Sequence, residues 1–261
     1  MYPEAKPIIF KCPKEYDFIE LYPVHDMHIG NECFDVHKWM NLKRHILSAP
    51  NRLICWVGDL MENAFPGTKS DPLLSVMPPL DQREFVATEF KALKDRTVAI
   101  VDGNHEDRSA RVGLYPLYDA ACIAGIPERY RSIYSVLDIA VGKGADGHEN
   151  RQQRYIGFLC HKAKELKAYG MVDFLEGFDF AIYGHDHDPK DHARSHLIYD
   201  SNKRTVRTKS IETINCGSCM FFGGYGARNG YRPQSDKMYK LVLYGGRFPR
   251  IETVGFYPDQ L

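Results

Sequence analysis

Five short hydrophobic runs recur along this chain, and a polar group follows each of them. The runs have the length and the β-branched and aromatic content of strands, and they lie at 17–24, 52–57, 97–101, 155–160 and 178–183. The groups that follow them are Asp26-Met27-His28, Gly58-Asp59, Gly103-Asn104-His105-Glu106, His161 and His185-Asp186-His187. The pattern predicts five strands that deliver polar side chains at their carboxyl ends.

Helix-like stretches separate these strands, at Val36–Leu47, 83–94 and 163–175. The repeated order of strand, polar loop and helix predicts an α/β fold with a largely parallel sheet. Open sheets of this kind bind their ligands at the carboxyl edge of the strands. We therefore expect the polar groups to form one site at that edge.

The last third of the chain has a different pattern. Segments 196–199 and 205–208 flank the turn-like segment 201–204, and segments 239–244 and 251–256 flank Gly245-Gly246. Both arrangements are typical of hairpins, so a second sheet stacked on the first is expected. The segment 63–82 is rich in proline and predicts a long loop of the kind that serves as a lid or a binding loop.

The composition fits one enzyme domain. A chain of 261 residues that is 44% hydrophobic can bury a large core within a single α/β domain. We expect one domain over 1–261, with a motif core at 17–220 and C-terminal strands at 221–261.

Charge and cysteine content bear on the binding partners and the cellular compartment of the protein. Lysine plus arginine and aspartate plus glutamate both total 34, so no overall positive charge indicates nucleic-acid or membrane binding. No apolar run of about 18 residues is present and the first 20 residues lack the pattern of a signal peptide, which predicts no membrane contact and a cytoplasmic location. Seven scattered cysteines suit a reducing compartment.

The polar groups contain more metal ligands than one ion needs. A structural metal ion takes about four protein ligands, whereas seven candidates occur here: Asp26, His28, Asp59, Asn104, His161, His185 and His187. Two divalent ions about 3.5–4 Å apart can clamp a phosphoryl group and activate a bridging water. One carboxylate must bridge such ions, and Asp59 is the natural candidate. The sequence thus predicts a dimetal site that hydrolyses phosphate esters.

The order of these motifs resembles that of the calcineurin-like metallophosphoesterase superfamily. D-x-H, G-D, G-N-H-E, a lone histidine after a strand and G-H-x-H span residues 26–187, and Asn215-Cys216-Gly217-Ser218 extends the match. Each motif alone is weak, but five in this order are specific. The resemblance implies a four-layer αββα sandwich with the dimetal site at the carboxyl ends of the strands.

The resemblance also implies a role for each matching residue. One ion would be held by Asp26, His28, Asp59 and His187, and the other by Asp59, Asn104, His161 and His185. A metal-bridging hydroxide would attack the phosphorus, and His105 would assist the leaving group without binding metal. Members use manganese, iron, zinc or nickel, and manganese is the ion that we expect first.

Departures from the family pattern bear on the substrate. Protein-phosphatase relatives read G-D-x-x-D-R, with an arginine that grips phosphate, whereas this chain has Glu62 and Asn63 at the last two positions. We expect Glu62 to orient His105 and a phosphoprotein substrate to be disfavoured. Arg108 and Asn63 are the candidate substrate contacts, although a salt bridge from Arg108 or Arg111 to Asp107 or Glu106 is an equal alternative.

Three functions stay open on the sequence. A phosphodiesterase, acting as a nuclease on DNA or RNA or on a nucleotide, is the leading hypothesis, because the motifs look more like those of that branch. The stretch 221–233 resembles phage-encoded members. The alternatives are a phosphomonoesterase on a small substrate and a non-catalytic scaffold of the same fold. The oligomeric state is not encoded in any motif.

Other histidines and cysteines have ordinary explanations. Surface or hydrogen-bonded histidines are the norm, which is the expected state of those outside the motifs: His25, His37, His45, His148, His192 and His196. Cys216 and Cys219 form a lone C-x-x-C, which we interpret as part of a turn.

Overall fold

Two six-stranded sheets form the centre of the molecule. The computed structural model describes residues 6–68, 70–143, 151–162, 175–228, 230 and 232–261. In chain order the strands are β1 Ile8–Lys11, β2 Phe18–Val24, β3 Arg52–Val57, β4 Thr97–Val101, β5 Tyr130–Arg131, β6 Tyr134–Val141, β7 Gln153–Cys160, β8 Phe180–Tyr183, β9 Lys190–Asp200, β10 Thr205–Asn215, β11 Met238–Tyr244 and β12 Ile251–Phe256. The helices are α1 Val36–Leu47, α2 Pro79–Ala92, α3 Asp107–Ala110, α4 Pro116–Ala124 and α5 Gly224–Arg228.

Each sheet mixes parallel and antiparallel pairs. Sheet I has the order β12-β11-β2-β3-β4-β5, with parallel pairing from β2 to β5 and antiparallel pairing of β11 and β12. Sheet II has the order β1-β6-β7-β8-β10-β9, with antiparallel pairing only in β6–β7 and β10–β9. The parallel strands β2, β3, β4, β7 and β8 are those that precede the polar groups.

The alternation of side chains along the strands builds two cores. In β2, Ile19 and Leu21 pack into a cluster with residues of sheet II, while Tyr22 and Val24 on the opposite face pack against helices. Successive side chains of a strand point to opposite faces, so both faces of sheet I are covered. This coverage explains why its strands are hydrophobic almost throughout.

Helices α1, α2 and α4 cover the outer face of sheet I. Trp56 of β3 lies between Trp39 of α1 and Phe90 of α2, with ring centroids 5.5 and 5.0 Å apart. The Asp35 carboxylate accepts a hydrogen bond from the Lys38 amide and caps the start of α1. None of the described helices is long and apolar enough to cross a membrane.

Several sequence predictions are confirmed. The chain is α/β with two stacked sheets, and the bounds of β3, β4 and α1 agree with those predicted. Both predicted hairpins form, as β9–β10 and β11–β12. The predicted helix at 163–175 lies outside the described residues except for Leu175, which packs on the outer face of sheet II.

Two predictions were wrong. The five motif strands do not share one largely parallel sheet, because β2, β3 and β4 belong to sheet I and β7 and β8 to sheet II. The last third does not build the second sheet either, since its hairpins extend one edge of each sheet. Strands with both faces buried look alike whichever sheet they join. The predicted loop at 63–82 contains a 3-10 helix, Pro72–Leu74, and the first turn of α2.

Candidate metal centre

The polar groups from both sheets meet at one edge of the sandwich. The loops after β2, β3 and β4 bring Asp26, His28, Asp59, Asn104 and His105 from sheet I, and the loops after β7 and β8 bring His161, His185 and His187 from sheet II. The side chains form three sets, and within each set the ligand atoms lie within 4.8 Å of one another. The first set is Asp26, His28 and His187, the second is Asp59, His161 and His185, and the third is His28, Asp59 and His105. The first two sets follow the division that the resemblance implies.

Asp26 is at the centre of the first set. Its Oδ1 lies 3.3 Å from His187 Nε2, 3.6 Å from His28 Nε2 and 3.7 Å from His161 Nε2. The two imidazoles of His28 and His187 approach each other to 3.2 Å between their Nε2 atoms. Asp26 is fully buried. Burial alone would raise the pKa of this carboxyl, but His187 and His161 hold it well below its usual range.

Asp59 belongs to the second set and also, with His28 and His105, to the third. Its Oδ2 lies 3.0 Å from His161 Nε2 and 3.8 Å from His105 Nε2, while its Oδ1 accepts a hydrogen bond of 2.8 Å from the His105 amide. His161 donates from Nδ1 to the Val57 main-chain oxygen at 2.7 Å, which leaves Nε2 directed at the carboxylates. Burial opposes these charges, yet the pKa of Asp59 is lowered and that of His161 is raised to about 9, because the two groups attract each other.

The backbone of the site has an unusual conformation. Seven described residues other than glycine have positive φ, and six of them are predicted site residues: Asp26, His28, Asp59, Asn63, His185 and His187. Such conformations are uncommon for residues other than glycine, although Asp, Asn and His adopt them most readily, and they cluster at functional sites. Gly103 allows a further close approach, because a Cβ there would lie 2.2 Å from the Asp59 amide nitrogen.

Glu106 ties the sheet I loops together, a role that the sequence reading missed. Its carboxylate is buried and accepts hydrogen bonds from the amides of Asp59, Met61 and Gly103 at 2.8, 3.0 and 2.8 Å. Burial and the neighbouring Asp59 raise the pKa of Glu106 to about 7. The acidic residue of G-N-H-E was the available signal, because a buried carboxylate needs donors of this kind.

His105 lies beside the predicted ligands and contacts Glu62 and Arg108. Its Nδ1 is 2.9 Å from the main-chain oxygen of Glu62, which can only accept, so Nδ1 carries the proton. Its Nε2 then accepts from the Arg108 guanidinium at 2.8 Å. Burial, His28 and Arg108 lower the pKa of His105 to about 4, although Asp59 and Glu62 oppose the shift.

Glu62 contacts His105 mainly through its main-chain oxygen, not through its carboxylate as expected. Its carboxylate is 3.7 Å from His105 Nδ1, so the main-chain oxygen makes the closer contact. The carboxylate lies 3.3 Å from His28 Nδ1 and accepts from Asn31 at 3.1 Å. Glu62 therefore touches both the predicted ligand His28 and the predicted catalytic residue His105.

Arg108 and Asn63 have different surroundings. Arg108 donates to the Glu62 main-chain oxygen at 2.7 Å and keeps its guanidinium over His105. The Asn63 amide is buried and donates to the His105 main-chain oxygen at 2.7 Å and to Ser109 at 3.1 Å. Asn63 thus holds the His105 loop, whereas Arg108 reaches the same imidazole that the resemblance assigns to the leaving group.

The donor set fits metal ions. Two predicted ligand atoms, Asp26 Oδ1 and Asn104 Oδ1, are buried without a hydrogen-bond partner in the part of the chain that the structure describes. His161 Nε2 is buried too, and its contact with Asp59 Oδ2 at 3.0 Å lacks the geometry of a hydrogen bond. Unpartnered buried polar atoms are costly and rare in native proteins. Cations between these oxygen and nitrogen atoms would satisfy them, and mixed carboxylate, amide and imidazole donors suit manganese, iron, zinc and nickel.

The remaining candidates lie around this centre or away from it. His25 contacts Asp26 at 2.6 Å. Asn215 donates to Asp186 and accepts from the Gly217 amide, so the extended motif packs beside the G-H-x-H loop. Cys216 and Cys219 are buried free thiols in the helix-side core. His192 and His196 lie on β9, and His148 lies outside the described residues.

Comparison with known proteins gives remote structural similarity only. No protein-family model matches the chain, and no curated protein matches it. The chain is similar to the solved structure of the calcineurin-like phosphoesterase YfkN from Bacillus subtilis, with 11% identity and a TM-score of 0.43 over 94% of this chain and 92% of that one. It is also similar to a metallophosphoesterase from Sphaerobacter thermophilus, with 14% identity and a TM-score of 0.36 over 87% of this chain and 83% of that one.

Proposed function

We propose that this protein is a metal-dependent phosphoesterase that binds two divalent ions and hydrolyses phosphodiesters, as a nuclease or a nucleotide phosphodiesterase. The observation that carries the proposal is the convergence of ligand-type side chains from two sheets, with buried ligand atoms that lack partners. Asp26, His28, Asp59 and His187 would hold one ion, and Asp59, Asn104, His161 and His185 the other. Manganese is the first ion to test, followed by iron, zinc and nickel.

The ions would polarise the phosphoryl group and activate water when bound. The protein side chains then have separate tasks. His105 donates from Nδ1 to the Glu62 main-chain oxygen, which fixes the ring and leaves Nε2 as the atom that faces the leaving group. Because the pKa of the ring is lowered to about 4, Nε2 would have to take up a proton before it could pass one to the leaving oxygen. Glu62 supports this arrangement from both its main-chain oxygen and its carboxylate, which also contacts His28.

Arg108 is the proposed phosphate contact. Its guanidinium is cationic at all relevant pH values and has the planar fork that matches phosphate oxygens. It already lies 2.8 Å from His105 Nε2, so a phosphate beside His105 would be within its reach.

A diester is favoured over a monoester by position 63. A phosphomonoester carries one more negative charge than a diester and gains more from a second cation. The Asn63 amide is neutral and is already bonded to the His105 loop. Position 63 therefore offers no positive charge that would stabilise a monoester dianion.

Rates on two matched substrates test the proposal. With manganese present, bis(4-nitrophenyl) phosphate should be hydrolysed faster than 4-nitrophenyl phosphate, and single-stranded DNA or a cyclic nucleotide should then identify the branch. Faster hydrolysis of the monoester would overturn the diester assignment and favour the monoesterase. No hydrolysis of either compound with manganese, iron, zinc or nickel would overturn the enzyme assignment.

A further inference from the structure

His25 lies directly beneath the candidate metal centre, outside the motifs that the resemblance covers. Its side chain is fully buried, as is that of Asp26. Its ring is enclosed closely enough that a Cβ on Gly184 would lie 2.9 Å from His25 Nδ1. A polar ring in such a place needs partners for both nitrogens.

The two partners fix the tautomer of His25. The Cys216 amide, which can only donate, points its hydrogen at His25 Nε2 over 3.1 Å. Nε2 must therefore be an acceptor without a proton. The proton of the neutral ring is on Nδ1, which lies 2.6 Å from Asp26 Oδ2 and donates to it.

This hydrogen bond selects which oxygen of Asp26 is free. Oδ2 accepts from His25 Nδ1 and also from the His185 amide at 2.8 Å. Oδ1 has no hydrogen-bond partner among the described residues and is the oxygen nearest His187, His28 and His161. The two donors thus hold the carboxylate with one oxygen turned away from the centre and the other turned toward it.

We propose that His25 is a positioning residue that locks the Asp26 carboxylate with Oδ1 aimed at the metal, and that it links this ligand to the Cys216 turn. The inference rests on the proposed metal centre. Carboxylates that bind metals are oriented by hydrogen bonds of this kind, and loss of such a partner costs about 10-fold to 100-fold in metal affinity.

Two variants separate the two hydrogen bonds. His25→Asn keeps a donor near the position of Nδ1 and loses the acceptor for Cys216. His25→Gln keeps an acceptor near the position of Nε2 and loses the donor to Asp26. Both variants remove the ring and differ from each other by one methylene group, so thermal denaturation is needed to compare their packing losses.

Manganese titration of the metal-free protein by calorimetry, with thermal denaturation alongside, gives the decisive comparison. We expect His25→Gln to weaken manganese binding about 10-fold or more, and His25→Asn to bind manganese within a few-fold of the parent protein. Both variants should melt below the parent protein, because each loses the buried ring and one of its hydrogen bonds. Equal affinity in the two variants, whether both retained or both lost, would overturn the role of His25. Failure of the parent protein to bind manganese, iron, zinc or nickel would instead overturn the proposed metal centre.

The tautomer gives a second readout, which is measured on the parent protein. Nitrogen NMR of the parent protein should show the His25 ring with a proton on Nδ1 and none on Nε2, with the signal assigned by its loss in His25→Asn. A proton on Nε2 would contradict the contact with Cys216 and the inference.

Discussion

Sheet I and sheet II supply side chains to the same centre in different ways. From sheet I, Asp26, His28 and Asp59 are at most 4% exposed. From sheet II, His161 is buried, but His185 is exposed and the His187 side chain is 31% exposed. The sheet I loops are also joined to one another, since Glu106 accepts from three of their amides.

The sheet II loops are instead anchored to sheet I. His161 donates to the Val57 main-chain oxygen, and the His185 amide donates to Asp26. From this difference we expect that sheet I holds a preformed half of the proposed centre, and that His185 and His187 of sheet II are fixed fully only when an ion binds. Substitutions in the two halves should therefore have unequal effects.

The largest effect is expected for Asp59→Asn, because this carboxylate belongs to two of the three ligand sets, one of which shares His28 with the first set. Loss of the bridging charge should remove both ions and lower phosphodiesterase activity by more than about 1,000-fold, several kcal/mol of transition-state stabilisation. Metal analysis by mass spectrometry and a rate assay with manganese measure the two results. Unchanged metal content and activity would refute the dimetal assignment.

A smaller loss, of at least about 100-fold, is expected for His105→Ala, because the imidazole proposed to assist the leaving group is removed while the ligands stay. Metal content should equal that of the parent protein. A variant that loses metal would make His105 a ligand, as its closeness to His28 and Asp59 allows.

His185→Ala tests the sheet II half. The imidazole is exposed and supplies one ligand to one proposed ion, so the variant should bind that ion more weakly and keep the other. Activity at saturating manganese should exceed that of Asp59→Asn by at least about 10-fold. If the two variants lose metal and activity equally, the halves are not distinct.

Glu106→Gln tests the internal support of sheet I. The amide group of glutamine would face a main-chain N–H, so the variant should lose about 1–3 kcal/mol of unfolding free energy. Urea denaturation measures the change. Glu128→Gln, whose parent side chain is 67% exposed, is the control and should change stability by less than about 0.5 kcal/mol. Equal changes in the two variants would contradict the role of Glu106.

The smallest effect is expected for Glu20→Gln, on the free energy of unfolding in acid. Glu20 lies on β2 away from the centre and contacts Arg52, Lys240 and Tyr22. Burial would raise the pKa of Glu20, but hydrogen bonds from Lys240 and Arg52 lower it overall below 4.5. A lowered carboxyl pKa stabilises the fold above the unfolded value, and this contribution is lost as pH falls through the folded value.

The stability difference between the parent protein and Glu20→Gln should therefore be constant at neutral pH and shrink below pH 4.5. Urea denaturation across this range measures it, with the exposed Glu15→Gln as control. A difference that grows in acid would reverse the sign and disprove the assignment. Manganese binding at neutral pH should not change, because Glu20 is not among the residues of the centre.

Much of the site was predictable because its residues follow strands. Each motif strand is a short apolar run, and a parallel strand places the residues after its carboxyl end at the sheet edge, so Asp26, Asp59 and His161 were found without a structure. Glu106 and His25 were not assigned, because their partners are main-chain amides and a neighbouring carboxylate that only the folded chain brings close. The strands β1 and β6 and the helix α4 lack motif residues and were missed.

The sequence by itself determined the α/β class, the strand ends and the set of candidate ligands, since hydrophobic periodicity and residue type are local properties of the chain. Only the tertiary structure decided how the strands divide between two sheets, which oxygen of Asp26 is free, and which atom of Glu62 contacts His105. These features depend on contacts between residues far apart in the chain, such as the 191 positions that separate His25 from Cys216. No local pattern encodes such a contact.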